Sequence, residues 1–160
     1  MWGNVEKVVP AISKEYVKLV IPHLKTARFS IEVMMYLWGW YGYRAAAPMQ
    51  RLNYEFLAAA GRGVKVRVLL NSAGGPSNLS RMNSQSAHEL QRAGVLVKLD
   101  TTGQLLHSKC LIIDKEIVAL GSHNYSEKSM SSNIETSVII IDKSVALQFS
   151  RFFEQLFGRV

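Results

Sequence analysis

Residues 105–114 read LLHSKCLIID. The run has the apolar, β-branched character of a buried strand, yet it carries His107 and Lys109 with one residue between them. Side chains alternate across a strand, so His107, Lys109, Leu111 and Ile113 share one face, and Ser108, Cys110 and Ile112 the other. An imidazole and a fixed cation therefore point the same way. A buried cation is costly unless something negative meets it, so this strand either abuts a carboxylate or presents one end to an anionic ligand.

Outward from this run, the pattern alternates between strands and helices. Ser13 is positioned to cap a helix over residues 14–26, where Tyr16, Val17, Val20 and Leu24 recur at helical spacing and Pro22 is expected to kink or break it. Strands are predicted at 28–38, 64–71 and 95–99, with helices at 48–63 and 84–94 and a loop at 72–83. After them come strands at 105–114, 116–122 and 134–142, then an amphipathic helix at 143–157. This order predicts one α/β domain over residues 1–160, a mixed central sheet with helices on both faces. Residues 31–49 are apolar enough to raise a membrane helix, but Glu32, Arg44 and two glycines interrupt them.

The chain has 160 residues, 48% of them hydrophobic and 19% charged, ordinary values for a globular protein with its own core. Its single cysteine, Cys110, has no partner for an internal disulfide and reads as an inert buried thiol. The start, MWGNVEKVVPAISKEY, lacks the basic segment, apolar run and cleavage site of a secretory signal, which predicts a cytoplasmic protein. The net charge of +7 is spread along the chain and favours a polyanionic partner, nucleic acid or an anionic membrane surface.

The second half of the chain has the order His107-x-Lys109, Asp114, Gly121-Ser122-x-Asn124 and then Glu135. This run resembles the signature of the phospholipase D superfamily, most sharply from Leu106 to Asp142, and in particular its bacterial endonuclease branch with one motif per chain. The resemblance implies an α/β/α sandwich, a covalent phosphohistidine intermediate, no cofactor or metal, and a largely structural aspartate. Strand parity agrees on the last point: Asp114 lies an odd number of residues from Lys109, and it is expected to brace the turn into Lys115–Ile117. His123 departs from the apolar residue often found between that serine and asparagine, and no role is assigned to it.

The same assignments follow from the chemistry of a phosphodiester. Its cleavage needs neutralised phosphoryl oxygens, an aligned nucleophile and an acid for the leaving oxygen. His107 can attack through a neutral ring nitrogen. Lys109 supplies a fixed charge, Asn124 an amide donor, and Ser122 its hydroxyl or backbone N–H, from a turn that starts at Gly121. Glu135 is expected to hold the far ring nitrogen of His107. The plain alternatives are that Ser122 and Asn124 only form the turn and that Glu135 is an edge charge. A metal site is not expected: only Asp100, Asp114 and Asp142 are aspartates, with no compact acidic cluster and no cysteine–histidine pattern.

A phosphorylated histidine cannot also protonate the leaving group, and this chain has one motif. A homodimer with a two-fold axis through the cleft is therefore expected. Nucleic acid, single- or double-stranded, is the leading substrate, with Arg44, Arg51, Arg62, Arg81 and Lys128 as candidates to track its backbone. An anionic phospholipid such as cardiolipin is the alternative, supported by YLWGWYGY at 36–43. Trp38 and Trp40 in that stretch are candidates to stack on unpaired bases or meet a membrane, or else to fill the core. A catalytically silent binding module is a third class, opposed by the intact His107, Lys109 and Asn124.

Overall fold

The computed structural model describes residues 7–42, 46–72 and 77–160. The elements run β1 (Lys7–Ile12), α1 (Glu15–Thr26), β2 (Ser30–Met35), α2 (Pro48–Gly61), β3 (Lys65–Asn71), α3 (Ser77–Arg92), β4 (Leu96–Asp100), β5 (Lys109–Ile113), β6 (Ile117–Gly121), α4 (Glu127–Ser131), β7 (Thr136–Ile141) and α5 (Lys143–Phe157). The strands form one mixed sheet in the order β1-β7-β6-β5-β2-β3-β4. Strands β2, β3 and β4 are parallel, and the other pairings are antiparallel. The predicted α/β sandwich is what forms.

The sheet separates two cores. On one side Val33, Leu111 and Ile113 meet Leu24, Phe56, Leu90 and Met130 from the first four helices. On the other, Met34, Cys110 and Ile112 meet Ala146, Phe153 and Phe157 of α5. The alternation predicted for β5 therefore holds, although its ladder starts only at Lys109. Cys110 is buried, and desolvation pushes its thiol pKa up to about 12. Glu32 is fully buried in β2 because Arg67, its cross-strand neighbour on β3, lies 2.6 Å away and reaches on to Glu154 of α5. Among the described residues no helix is long and apolar enough to cross a membrane.

Three local expectations change, and one strand is new. Helix α1 runs through Pro22; the proline costs about 3 kcal/mol, less than the burial of Tyr16, Val17, Val20 and Leu24 at roughly 1.5–3 kcal/mol each. Ser13 does not cap it. That residue has φ +46°, the cap position is Lys14, and Ser13 instead donates its N–H to the Glu135 carbonyl (2.9 Å). Strand β1, which was not predicted, contains Pro10, and an edge strand tolerates a proline. Helix α3 begins at Ser77, inside the loop expected at 72–83, where the inward residues include polar Asn83, which is fully buried.

Candidate active site

Four strand ends meet at one end of the sheet. Register pairs Met35, the last residue of β2, with Lys109, the first of β5, and Gly121, the last of β6, with Ser137 near the start of β7. There His107, Lys109, Gly121, Ser122, Asn124 and Glu135 line an open cleft of about 300 Å3. All six are residues that the motif singles out.

His107 is exposed just ahead of β5, and its ring lies 4.7 Å from that of Tyr36, tilted by 60°. Lys109 donates from Nζ to the His107 carbonyl (2.7 Å) and rests 4.8 Å from the same Tyr36 ring. No ion pair holds Lys109 among the described residues, so its charge faces the cleft. Desolvation lowers its pKa from the ordinary lysine value, and the negative charge of Glu135 works against that shift. The Asn124 side chain makes no hydrogen bond among the described residues, and its Oδ1 is buried. That leaves its amide open to a ligand.

Glu135 is held differently from the expectation. Its carboxylate accepts from the Ser122 hydroxyl, from Ser129 Oγ (2.9 Å) and from Asn133 Nδ2 (3.0 Å), and no hydrogen bond joins it to His107 within the chain. Burial pushes its pKa up, but the hydrogen bonds from Ser122, Asn133 and Ser129 outweigh burial, and the net direction is down. Ser122 changes role for the same reason. Its hydroxyl is given to Glu135 and its backbone N–H to the Thr136 carbonyl (2.9 Å), so it braces the cleft wall and has neither donor free for a phosphoryl oxygen. Gly121 allows that close packing: a Cβ there would come within 2.4 Å of Ser137 Cα and the Thr136 carbonyl, and φ is +156°.

Asp114 lies at the far end of β5, away from the cleft. It braces the start of β2 rather than its own turn, accepting the backbone N–H groups of Arg28 (2.9 Å), Phe29 (2.7 Å) and Ser30 (2.9 Å). His123, left without a role by the motif, is a buried anchor. Its Nε2 donates to the Ser13 carbonyl (2.9 Å), Nδ1 accepts from Ser137 Oγ (2.7 Å), and the ring stacks on Tyr16. Burial lowers its pKa, against the Ser13 hydrogen bond and the Glu135 charge.

The remaining candidates divide by position. Trp38 is fully buried among Phe56 and Tyr125, with Nε1 donating to Asn53 Oδ1 (2.7 Å), so it belongs to the core and cannot stack on a substrate base. Arg62 is also excluded: it caps the far end of α2, where its guanidinium holds the Leu24 carbonyl (2.8 Å). Arg51 and Arg81 are exposed near the starts of α2 and α3, and Lys128 is exposed on α4, all at the cleft end of the sheet. Trp40 is half-buried on the loop after β2, and Arg44 lies outside the described residues.

Sequence reasoning missed Tyr36 and the buried amides beneath it. Asn83 holds the Tyr36 carbonyl (2.8 Å) and the Trp38 N–H (2.8 Å), Asn53 the Gly39 carbonyl (3.1 Å) and Ser86 the Trp38 carbonyl (2.7 Å). The available signal was an aromatic residue directly after a buried strand. Among the described residues no three histidine, cysteine, aspartate or glutamate side chains cluster as metal ligands would.

The family model described as cardiolipin synthase, PLD-like domain, matches residues 20–157. Phospholipase D of Rickettsia conorii is 39% identical over 95 residues, covering 59% of this chain and 45% of that protein. Phospholipase D of Rickettsia typhi is 35% identical over 129 residues, covering 81% and 56%. The chain thus spans about half the length of the curated relatives it matches. A phospholipase D family member of known structure, Nuc from Salmonella typhimurium, shares the fold with a TM-score of 0.78 at 23% identity, over 95% of this chain and 94% of that one. The motif, the mixed sheet and the family match agree: the chain belongs to the phospholipase D superfamily.

Proposed function

We propose that the protein is a phosphodiesterase that uses no resident metal, and that it cleaves nucleic acid internally without sequence preference. The observation that carries this reading is the convergence of His107, Lys109 and Asn124 on one open, polar cleft. A ring nitrogen of His107 attacks phosphorus, and the bond to the leaving oxygen breaks. Lys109 and the Asn124 amide neutralise the phosphoryl oxygens. A second copy of the chain, related by a two-fold axis through the cleft, supplies another His107, whose imidazolium gives its proton to the leaving oxygen. That second ring then takes a proton from water. The water oxygen bonds to phosphorus, the phosphorus–nitrogen bond breaks, and a phosphomonoester departs.

The net charge of +7 and the exposed Arg51, Arg81 and Lys128 at the cleft end favour a polyanion. A second reading is hydrolysis of an anionic phospholipid. Ile134, 94% exposed next to Glu135, supports it, as do the names of the Rickettsia relatives. Labelled single-stranded DNA, duplex DNA, RNA and cardiolipin vesicles, each incubated in excess EDTA with the protein or its His107→Ala variant, separate the two. The nuclease reading expects nucleic-acid cleavage that survives chelation and vanishes in the variant. Lipid turnover with nucleic acid left intact would overturn it, and loss of all activity in EDTA would overturn the metal-free chemistry.

A further inference from the structure

A second cavity, about 230 Å3, shares the His107 wall with the cleft. Leu105, Leu106, Phe152 and Leu156 give it apolar sides, while Asp100 and Gln104 give it a polar edge. Leu105 and Phe152 are about half exposed. Asp100 is buried: its Oδ1 accepts the Thr102 N–H (3.0 Å) and hydroxyl (2.7 Å), and its other oxygen has no hydrogen-bond partner among the described residues. A carboxylate in such a place favours an N–H donor. The cavity is smaller than the usual 300–1,000 Å3 of a drug-sized ligand site, so it suits one compact group.

A nucleobase combines what these walls require, two apolar faces and an edge that carries N–H donors. An acyl chain offers Asp100 no donor. An ammonium headgroup would meet one aromatic ring, Phe152, where recognition of such groups uses a cage of several. Because His107 forms the common wall, a group seated here is joined directly to a phosphate in the cleft.

We propose that this cavity holds one base of an unpaired strand whose adjoining phosphate is the one cleaved. The assignment rests on the nuclease reading above and narrows it. A base inside a duplex must first unstack to enter, so single strands are cut faster than duplexes, and a base that presents an amino or imino N–H to Asp100 is favoured. The role of the cavity is to fix one arm of the diester, which aligns the phosphate with His107.

The test uses end-labelled single strands that carry one abasic residue at a known place, cleaved in EDTA and compared with the intact strand at the same phosphate. At least about tenfold slower cleavage beside the abasic residue is expected, from the loss of one buried or stacked base. Phe152→Ser, at a half-exposed helix position, and Asp100→Asn, which keeps the acceptor for Thr102, should each lower that ratio toward one. Equal cleavage with and without the base would overturn this proposal while leaving the nuclease reading in place. So would a fall in both rates with the ratio kept. No cleavage of any strand would overturn both, and ethanolamine-phospholipid turnover that falls with Asp100→Asn would reassign the cavity to a lipid headgroup.

Discussion

Lys109 Nζ lies 4.8 Å from the ring centroid of Tyr36, and the His107 ring packs against that same aromatic ring at 4.7 Å. One half-buried side chain thus supports both groups that would meet the phosphate. Removing it leaves a flexible lysine and an unsupported imidazole. Tyr36→Leu is expected to lower kcat roughly tenfold, the scale of one partly desolvated cation–π contact, with little change in KM. Tyr36→Phe should retain most activity, since the ring and not the hydroxyl makes these contacts. Steady-state kinetics of the two variants check this, and equal losses in both would assign the effect to the hydroxyl.

Lys109 is expected to contribute to the alkaline side of the rate profile, together with the imidazolium that serves as acid. Its ammonium must be protonated to neutralise a phosphoryl oxygen, and desolvation lowers its pKa, so activity should fall as pH rises through a value below that of an ordinary lysine. Lys109→Arg stays charged throughout and should lose only the lysine's part of that limb, leaving the part that comes from the acid imidazolium. A pH–kcat/KM profile for each protein reads the difference.

Asp114 is expected to matter for stability alone. Its carboxylate holds three backbone N–H groups at the far end of β5, and those donors lose their partner in Asp114→Ala. The variant should lose roughly 2 kcal/mol by denaturant titration, with activity per folded molecule unchanged. Asp114→Asn should lose less, because asparagine retains an acceptor and tolerates the positive φ of +52° found here.

A cleft completed by a second copy makes activity depend on concentration. Specific activity should drop on dilution in step with dimer dissociation followed by sedimentation, because one His107 cannot serve as nucleophile and acid together. Constant specific activity for a proven monomer would remove the shared-site account.

The elements that sequence reading placed well are the continuous apolar, β-branched runs β2, β3, β4 and the apolar part of β5, which the sheet covers on both faces, and α5, whose inward Ala146, Phe153 and Phe157 follow the helical period. The first part of helix α3, before residue 84, escaped because polar Asn83 is among its inward residues, and β1 was not predicted from a run that contains Pro10. The cleft residues were legible from spacing. Their hydrogen bonds were not, since spacing brings Ser122, Asn133 and His107 all within reach of Glu135, and only the fold selects the first two. Trp38 was ambiguous for a similar reason: an aromatic cluster is equally suited to a surface or a core until its N–H partner, Asn53, is known.

A His107 that acts as nucleophile must carry the phosphoryl group between the two halves of the reaction. A radiolabelled strand mixed with excess enzyme, stopped during a single turnover in alkaline denaturant and digested for mass spectrometry, tests it directly. Label is expected in a phosphoramidate on His107 that forms and decays at rates compatible with turnover, and no label in His107→Ala. Full cleavage with no adduct on His107, or an adduct on another residue, would rule out His107 as the nucleophile.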